Sequence, residues 1–211
     1  MLARSFIGAI ALAALSSLGR AEFVMGPTLA PGQTLRGRFI QVRHLVGLTS
    51  TLTSNGSFLL APGRGLIWRL EQPIQTTTVI TPASLRQIID GREVQQLETA
   101  RAPFVAYFYD LLDSALSGDW AAMRHDFAVE TRGDRRAWRT VLTPRRTSDA
   151  IAEVVASIVI TGGKMVDVVN IKRANGDSEQ LTFLEQTISS LAPGSDDARL
   201  LDDNKDLKPR G

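Results

Sequence analysis

Four dipeptides that accept positive φ angles cut this chain into short pieces: Asn55-Gly56, Asp90-Gly91, Gly162-Gly163 and Asn175-Gly176. Between them lie segments rich in Val, Ile, Thr and Leu, and Asn-Gly or Asp-Gly between such segments is the strongest local signal for a β-hairpin. Hairpins join neighbouring antiparallel strands. A chain built mostly from them folds as an antiparallel meander, which sets aside helical bundles and doubly wound parallel sheets.

Residue by residue, Glu22 to Thr34 carries Gly26, Pro27, Pro31 and Gly32 and reads as an extended lead-in. Leu35 to His44 is a long β-tolerant strand. Ser54-Asn55-Gly56-Ser57 predicts a hairpin turn, Phe58 to Leu60 resumes a strand, and Ala61 to Gly65 is a second turn. Leu66, Trp68 and Leu70 alternate with Ile67, Arg69 and Glu71, so one face of the next strand is strongly apolar. Gln75 to Thr81 is β-rich, and Ser84 to Ile89 and Glu93 to Leu97 flank Asp90-Gly91.

The texture changes at Pro103. Phe104, Phe108, Leu111, Leu112, Ala115 and Leu116 fall at helical spacing, which predicts a helix over about Pro103–Ser117, with a further turn at Trp120 to Arg124. Strands resume at Phe127 to Thr131 and, past the turn at Gly133 to Arg136, at Ala137 to Leu142. Ser148 to Ser157 is open between a short helix and a strand; the β-branched run Val154 to Thr161 favours a brief turn followed by a strand. Met165 to Arg173 and Leu181 to Thr187 complete nine or ten strands. A sheet of that size curls on itself, leaving the helix to cover its concave side. The expected fold class is therefore mainly β with helices (α+β), one strongly curved antiparallel sheet with a helix over its concave side.

Both ends read differently from the middle. Met1 to Arg4 is a positive start, Phe6 to Leu18 is apolar but too short to span a bilayer, and Gly19-Arg20-Ala21 ends in small residues. Residues 1–21 are thus expected to be a cleaved signal peptide, 22–195 the folded domain, and 196–211 a polar, mobile tail.

Composition narrows the chemistry. There is no cysteine, so disulfides, thiolate metal sites and Cys nucleophiles are excluded, and two histidines, His44 and His125, do not make a multi-histidine metal centre. Loss of the signal also removes Arg4 and Arg20, leaving basic and acidic side chains equal in number, with no electrostatic case for nucleic acid. Neither histidine stands in a recognisable acid–base arrangement. Arg135-Arg136 and Arg145-Arg146 read as solvated turn charge more readily than as headgroup sites. Phe104, Tyr107, Phe108 and Tyr109 place four rings on one short helical stretch, more than a single buried stripe needs.

One constellation goes further. Gly37-Arg-Phe39-Ile-Gln41, Leu52, Ser54-Asn55-Gly56-Ser57-Phe58, Pro62-Gly-Arg-Gly-Leu-Ile-Trp68 and Gln72-Pro73 resemble the start of the LolA family of periplasmic outer-membrane lipoprotein carriers. Trp138 to Pro144 and Gly176-Asp177 are similar to its second half. The likeness is closer to divergent LolA-like proteins than to the principal carrier.

The resemblance implies an incomplete antiparallel β-barrel with a helical lid over an apolar cavity, and a periplasmic carrier that holds acyl chains of lipoproteins, or of a related lipid, in that cavity and shuttles them to the outer membrane. It implies an inner-membrane donor transporter, an outer-membrane acceptor, a monomer, and neither cofactor, metal nor catalysis. A dedicated glycolipid or pigment-lipid carrier and a lipid- or lipoprotein-sensing regulator are the alternatives. Phe39, Phe58, Leu66, Trp68, Leu70 and Trp138 are the candidates for the concave wall, and Phe104, Phe108 and Leu111 for the lid. The family's lid-locking arginine precedes the turn proline. Here Ala61 stands before Pro62, and Arg64 is the candidate substitute latch.

Overall fold

A computed structural model of the chain describes residues 26–98, 113–114, 122–145 and 149–202. The six strands of its first half are β1 (Gln33–His44), β2 (Leu52–Ala61), β3 (Gly65–Gln72), β4 (Thr76–Ile80), β5 (Ser84–Ile89) and β6 (Arg92–Glu98). The second half contributes β7 (Phe127–Gly133), β8 (Trp138–Pro144), β9 (Val155–Gly162), β10 (Val166–Arg173) and β11 (Ser178–Ser190). Two short helices, α1 (Asp149–Ala152) and α2 (Asp196–Leu201), and a 3-10 turn at Ala122–Arg124 accompany them.

All eleven strands belong to one antiparallel, curved, open sheet in the order β6-β5-β4-β3-β2-β1-β11-β10-β9-β8-β7. Each half is a meander of hairpins. The two are joined in the middle of the sheet by the first and last strands, where Phe39 lies opposite Phe183 and Gln41 opposite Leu181. That pairing closes most of the chain into one loop, an entropic cost that the two longest strands offset by sharing a long ladder.

Most expected turns form. Asp90 and Gly91 both take positive φ, 51° and 71°, as a two-residue type I′ hairpin requires. Ser54-Asn55-Gly56-Ser57 is the exception: instead of turning the chain it lies inside β2, and the β1–β2 connection is the seven-residue stretch 45–51. Gly56 is needed there for a different reason. It faces Phe39 on β1, the pairing with β3 slips between Asn55 and Gly56, and a Cβ on Gly56 would sit 1.8 Å from the Arg69 carbonyl oxygen. The glycine marks a bulge where two strands approach closely, which local sequence does not distinguish from a hairpin turn.

Residues 148–157 divide: Asp149–Ala152 makes one helical turn and β9 starts at Val155. Among the described residues the strands number eleven, against the nine or ten expected. Of the helix expected over 103–117 only Asp113 and Ser114 are described, both helical, with Ser114 buried; Phe104, Tyr107, Phe108, Tyr109 and Leu111 lie outside the described residues, and so does the stretch 1–25. No described helix is long and apolar enough to cross a membrane.

The segment from 196, expected as a tail, instead begins with α2 docked on the sheet. Ser195 caps it, its hydroxyl accepting from the Ala198 N–H at 3.2 Å, and Ala198 and Leu201 are buried. Its charges are the reason: Asp197 lies 2.9 Å from Arg36 of β1 and 2.6 Å from Arg69 of β3, and the buried Arg86 donates to the Leu200 carbonyl at the helix end.

Candidate functional site

Strand alternation sorts the side chains into two faces. On the outer face Leu59, Ala61, Ile67 and Val79 form a small core beneath Leu201 of α2. Arg38 grips Glu71 through two hydrogen bonds, of 2.8 and 3.3 Å, and its guanidinium holds the Glu71 carboxyl below the usual glutamate range. The inner face is apolar across the sheet: Leu35, Phe39, Phe58, Leu60, Leu66, Ile80, Leu181 and Phe183 continue into Val169, Ile158, Ile160, Trp138, Leu142 and Phe127.

All six candidates for the wall fall on this inner face. Phe39, Phe58, Leu66 and Trp138 are buried, while Trp68 and Leu70 are partly exposed and pack against the same cluster. Trp68 is the hub: its ring stacks on Phe39 with centroids 3.8 Å apart and meets Phe183 edge-on at 6.3 Å and Phe58 at 6.2 Å. Trp138 sits apart from them, its indole N–H donating to the Gly163 carbonyl at 2.8 Å, a structural anchor of the β9–β10 turn.

A pocket of about 180 Å³ opens beside Trp68, lined by Gln41, Leu66, Trp68, Thr78, Ile80, Leu85, Glu179 and Leu181. Of the wall candidates only Leu66 and Trp68 line it. Ile80 and Leu85 were visible as β residues without a face. Gln41, Glu179 and Leu181 reach it through the β1–β11 pairing, which no local pattern announces. Ligand sites usually span about 300–1,000 Å³, and an apolar void of about 150 Å³ takes a benzene ring. The pocket's volume thus matches a short stretch of one hydrocarbon chain.

Its polar corner is a relay. The Ser54 hydroxyl donates to Gln41 Oε1 at 2.9 Å, Gln41 Nε2 donates to Glu179 Oε1 at 2.6 Å, and Arg173 stands 3.6 Å from Glu179 Oε2. Thr78 adds a hydroxyl, and every other lining side chain is apolar or aromatic. Beyond the pocket, Asp177 accepts from the Val46 N–H at 2.8 Å and from Asn175 at 2.9 Å, tying the β1–β2 loop to the β10–β11 turn.

The remaining candidates lie elsewhere. Arg64 pairs with Asp202 at 2.8 Å, just past α2, so its guanidinium serves the C-terminal segment rather than the inner face. His44 ends β1, and His125 lies 3.0 Å from the Asp126 carboxylate in the turn before β7. Among the described residues no three His, Cys, Asp or Glu side chains are grouped to hold a metal. Phe104, Phe108 and Leu111 fall outside the described residues.

Residues 17–201 match the family described as outer membrane lipoprotein carrier protein LolA-like. No curated protein sequence matches the chain. Among solved structures, a chain of the Pseudomonas aeruginosa MucA/MucB complex aligns at 12% identity and TM-score 0.45, over 81% of this chain and 56% of that one. The chain thus spans little more than half of that relative. A LolA superfamily protein from Nitrosomonas europaea aligns at 8% identity and TM-score 0.42, over 78% and 90% of the two chains.

Proposed function

The chain belongs to the outer membrane lipoprotein carrier protein LolA-like family, and on that premise we propose that it is a periplasmic carrier. It takes acyl chains of lipoproteins, or of a related lipid, against the inner face at Trp68, receives them from an inner-membrane donor transporter and delivers them to an outer-membrane acceptor. It acts as a monomer, after loss of residues 1–21, with no cofactor, no metal and no bond made or broken.

The observation that carries this reading is the inner face itself. Alternate residues of β3, β4, β5 and β11 supply Leu66, Trp68, Ile80, Leu85 and Leu181 to one open apolar pocket instead of filling it. Leaving such surface in water is costly, at about 25 cal/mol per Å² of apolar area, and an acyl chain recovers that cost at about 0.8 kcal/mol for each methylene buried. The same arithmetic explains why an acylated cargo needs a carrier at all: its own chains do not cross water unshielded at useful rates.

The test is a native mass spectrum of the protein purified from a periplasmic extract, followed by lipid extraction. The carrier reading expects co-purified acylated cargo that is depleted in Trp68→Glu. A clean apo mass, with no uptake of added diacylated lipopeptide, rejects it.

A further inference from the structure

The pocket carries one ionisable group, and its setting specifies the polar end of the cargo. We propose that Glu179, positioned by Gln41, selects amphiphiles whose first polar group donates a hydrogen bond, an amide N–H, hydroxyl or ammonium, over those ending in a carboxylate or phosphate. This rests on the acyl-binding reading above and specifies its ligand class.

Three observations support it. First, Glu179 lines an otherwise apolar pocket and its side chain is only 11% exposed, so its charge is felt at short range with little water to screen it. Second, the Ser54 hydroxyl donates to Gln41 Oε1, which turns the Gln41 N–H group toward Glu179. Gln41 is thereby a positioning residue that fixes the carboxylate against the pocket. Third, an ionised carboxylate offers about four acceptor positions, and among the described residues Glu179 uses one for a hydrogen bond, Arg173 standing at ion-pair distance, 3.6 Å. Acceptor capacity is therefore left for a ligand. Hydrocarbon on Leu66, Trp68, Ile80 and Leu85 with a donor at Glu179 satisfies both parts of the site, whereas an anionic headgroup meets like charge.

Decylamine and decanoate at neutral pH, matched in chain length and opposite in charge, are the probes, with Trp fluorescence or calorimetry as the readout. The wild-type protein is expected to bind decylammonium about tenfold more tightly, as a charge-assisted hydrogen bond provides. Glu179→Gln, which keeps the shape and the Gln41 contact, is expected to bring the two within about threefold. Gln41→Met is expected to narrow the ratio partway. Glu71→Gln removes the same charge from the outer face and is expected to leave the ratio unchanged. Equal or tighter decanoate binding by the wild type, or a ratio indifferent to Glu179→Gln, overturns the selectivity while leaving acyl binding standing. If neither probe binds, the acyl-binding reading falls and the selectivity with it.

Discussion

Phe39 and Trp68 lie on β1 and β3, which do not pair directly, yet their rings stack at 3.8 Å with planes 25° apart, bridging over Gly56 of the intervening β2. The stack makes Trp68 half core and half pocket wall: one side rests on the buried Phe39, the other borders open space.

Substitution at Trp68 therefore affects both stability and binding. Trp68→Ala is expected to lower unfolding free energy by about 2–3 kcal/mol, below the 3–5 of a fully buried Trp, read from urea denaturation. Trp68→Phe retains most hydrocarbon affinity and Trp68→Glu loses at least tenfold. Leu66 is a poorer probe, because it is fully buried and a charge there costs the fold itself.

Gly56→Ala is expected to destabilise by about 3 kcal/mol, since the added methyl meets the Arg69 carbonyl and the backbone must move. Gly63→Ala, in open space with φ of 71°, costs about 1 kcal/mol, the ordinary left-handed penalty. Equal losses at the two sites would deny the bulge its role.

Asp197 holds α2 through two arginines from different strands. Asp197→Asn is expected to cost about 1–2 kcal/mol, discounted for the partial exposure of both guanidiniums. Amide exchange should quicken in 196–201 before it changes in β3. Unchanged protection of α2 would show that Ala198 and Leu201 hold the helix unaided.

The Asp177 carboxyl is held below the usual aspartate range by the Val46 N–H first and the Asn175 amide second. A lowered folded-state pKa means the stabilisation is complete above the ordinary aspartate value, near 4, and is lost as pH falls through the lower folded value. Asp177→Asn is thus expected to lower the urea midpoint at pH 7 and to make no difference in strong acid. A gap that persists or widens in acid contradicts this.

Much of this was legible in the chain. Alternation in Leu66-Ile-Trp-Arg-Leu-Glu71 placed Trp68 and Leu70 on the apolar face, and Asp90-Gly91 and Asn175-Gly176 gave true hairpins, because both signals act within a few residues. Asn55-Gly56 misled because the glycine answers to Arg69 on a neighbouring strand. The polar corner was hidden for a similar reason: Gln41 and Glu179 meet only through a pairing of the first and last strands. Helix α2 read as a tail because its acidic residues look solvated until Arg36 and Arg69 are brought beneath them.

The central claim is that acyl chains lie on the inner face, and Thr77 and Thr78 test it most directly. They are adjacent, similarly half-buried residues of β4 that face opposite sides, Thr78 lining the pocket and Thr77 lying on the face that α2 shares. A photo-crosslinking amino acid placed at each position, with irradiation in intact cells, reports which side meets lipid. The account predicts acylated adducts from position 78 and none above background from position 77. Equal labelling at both, or labelling at 77 alone, would contradict it.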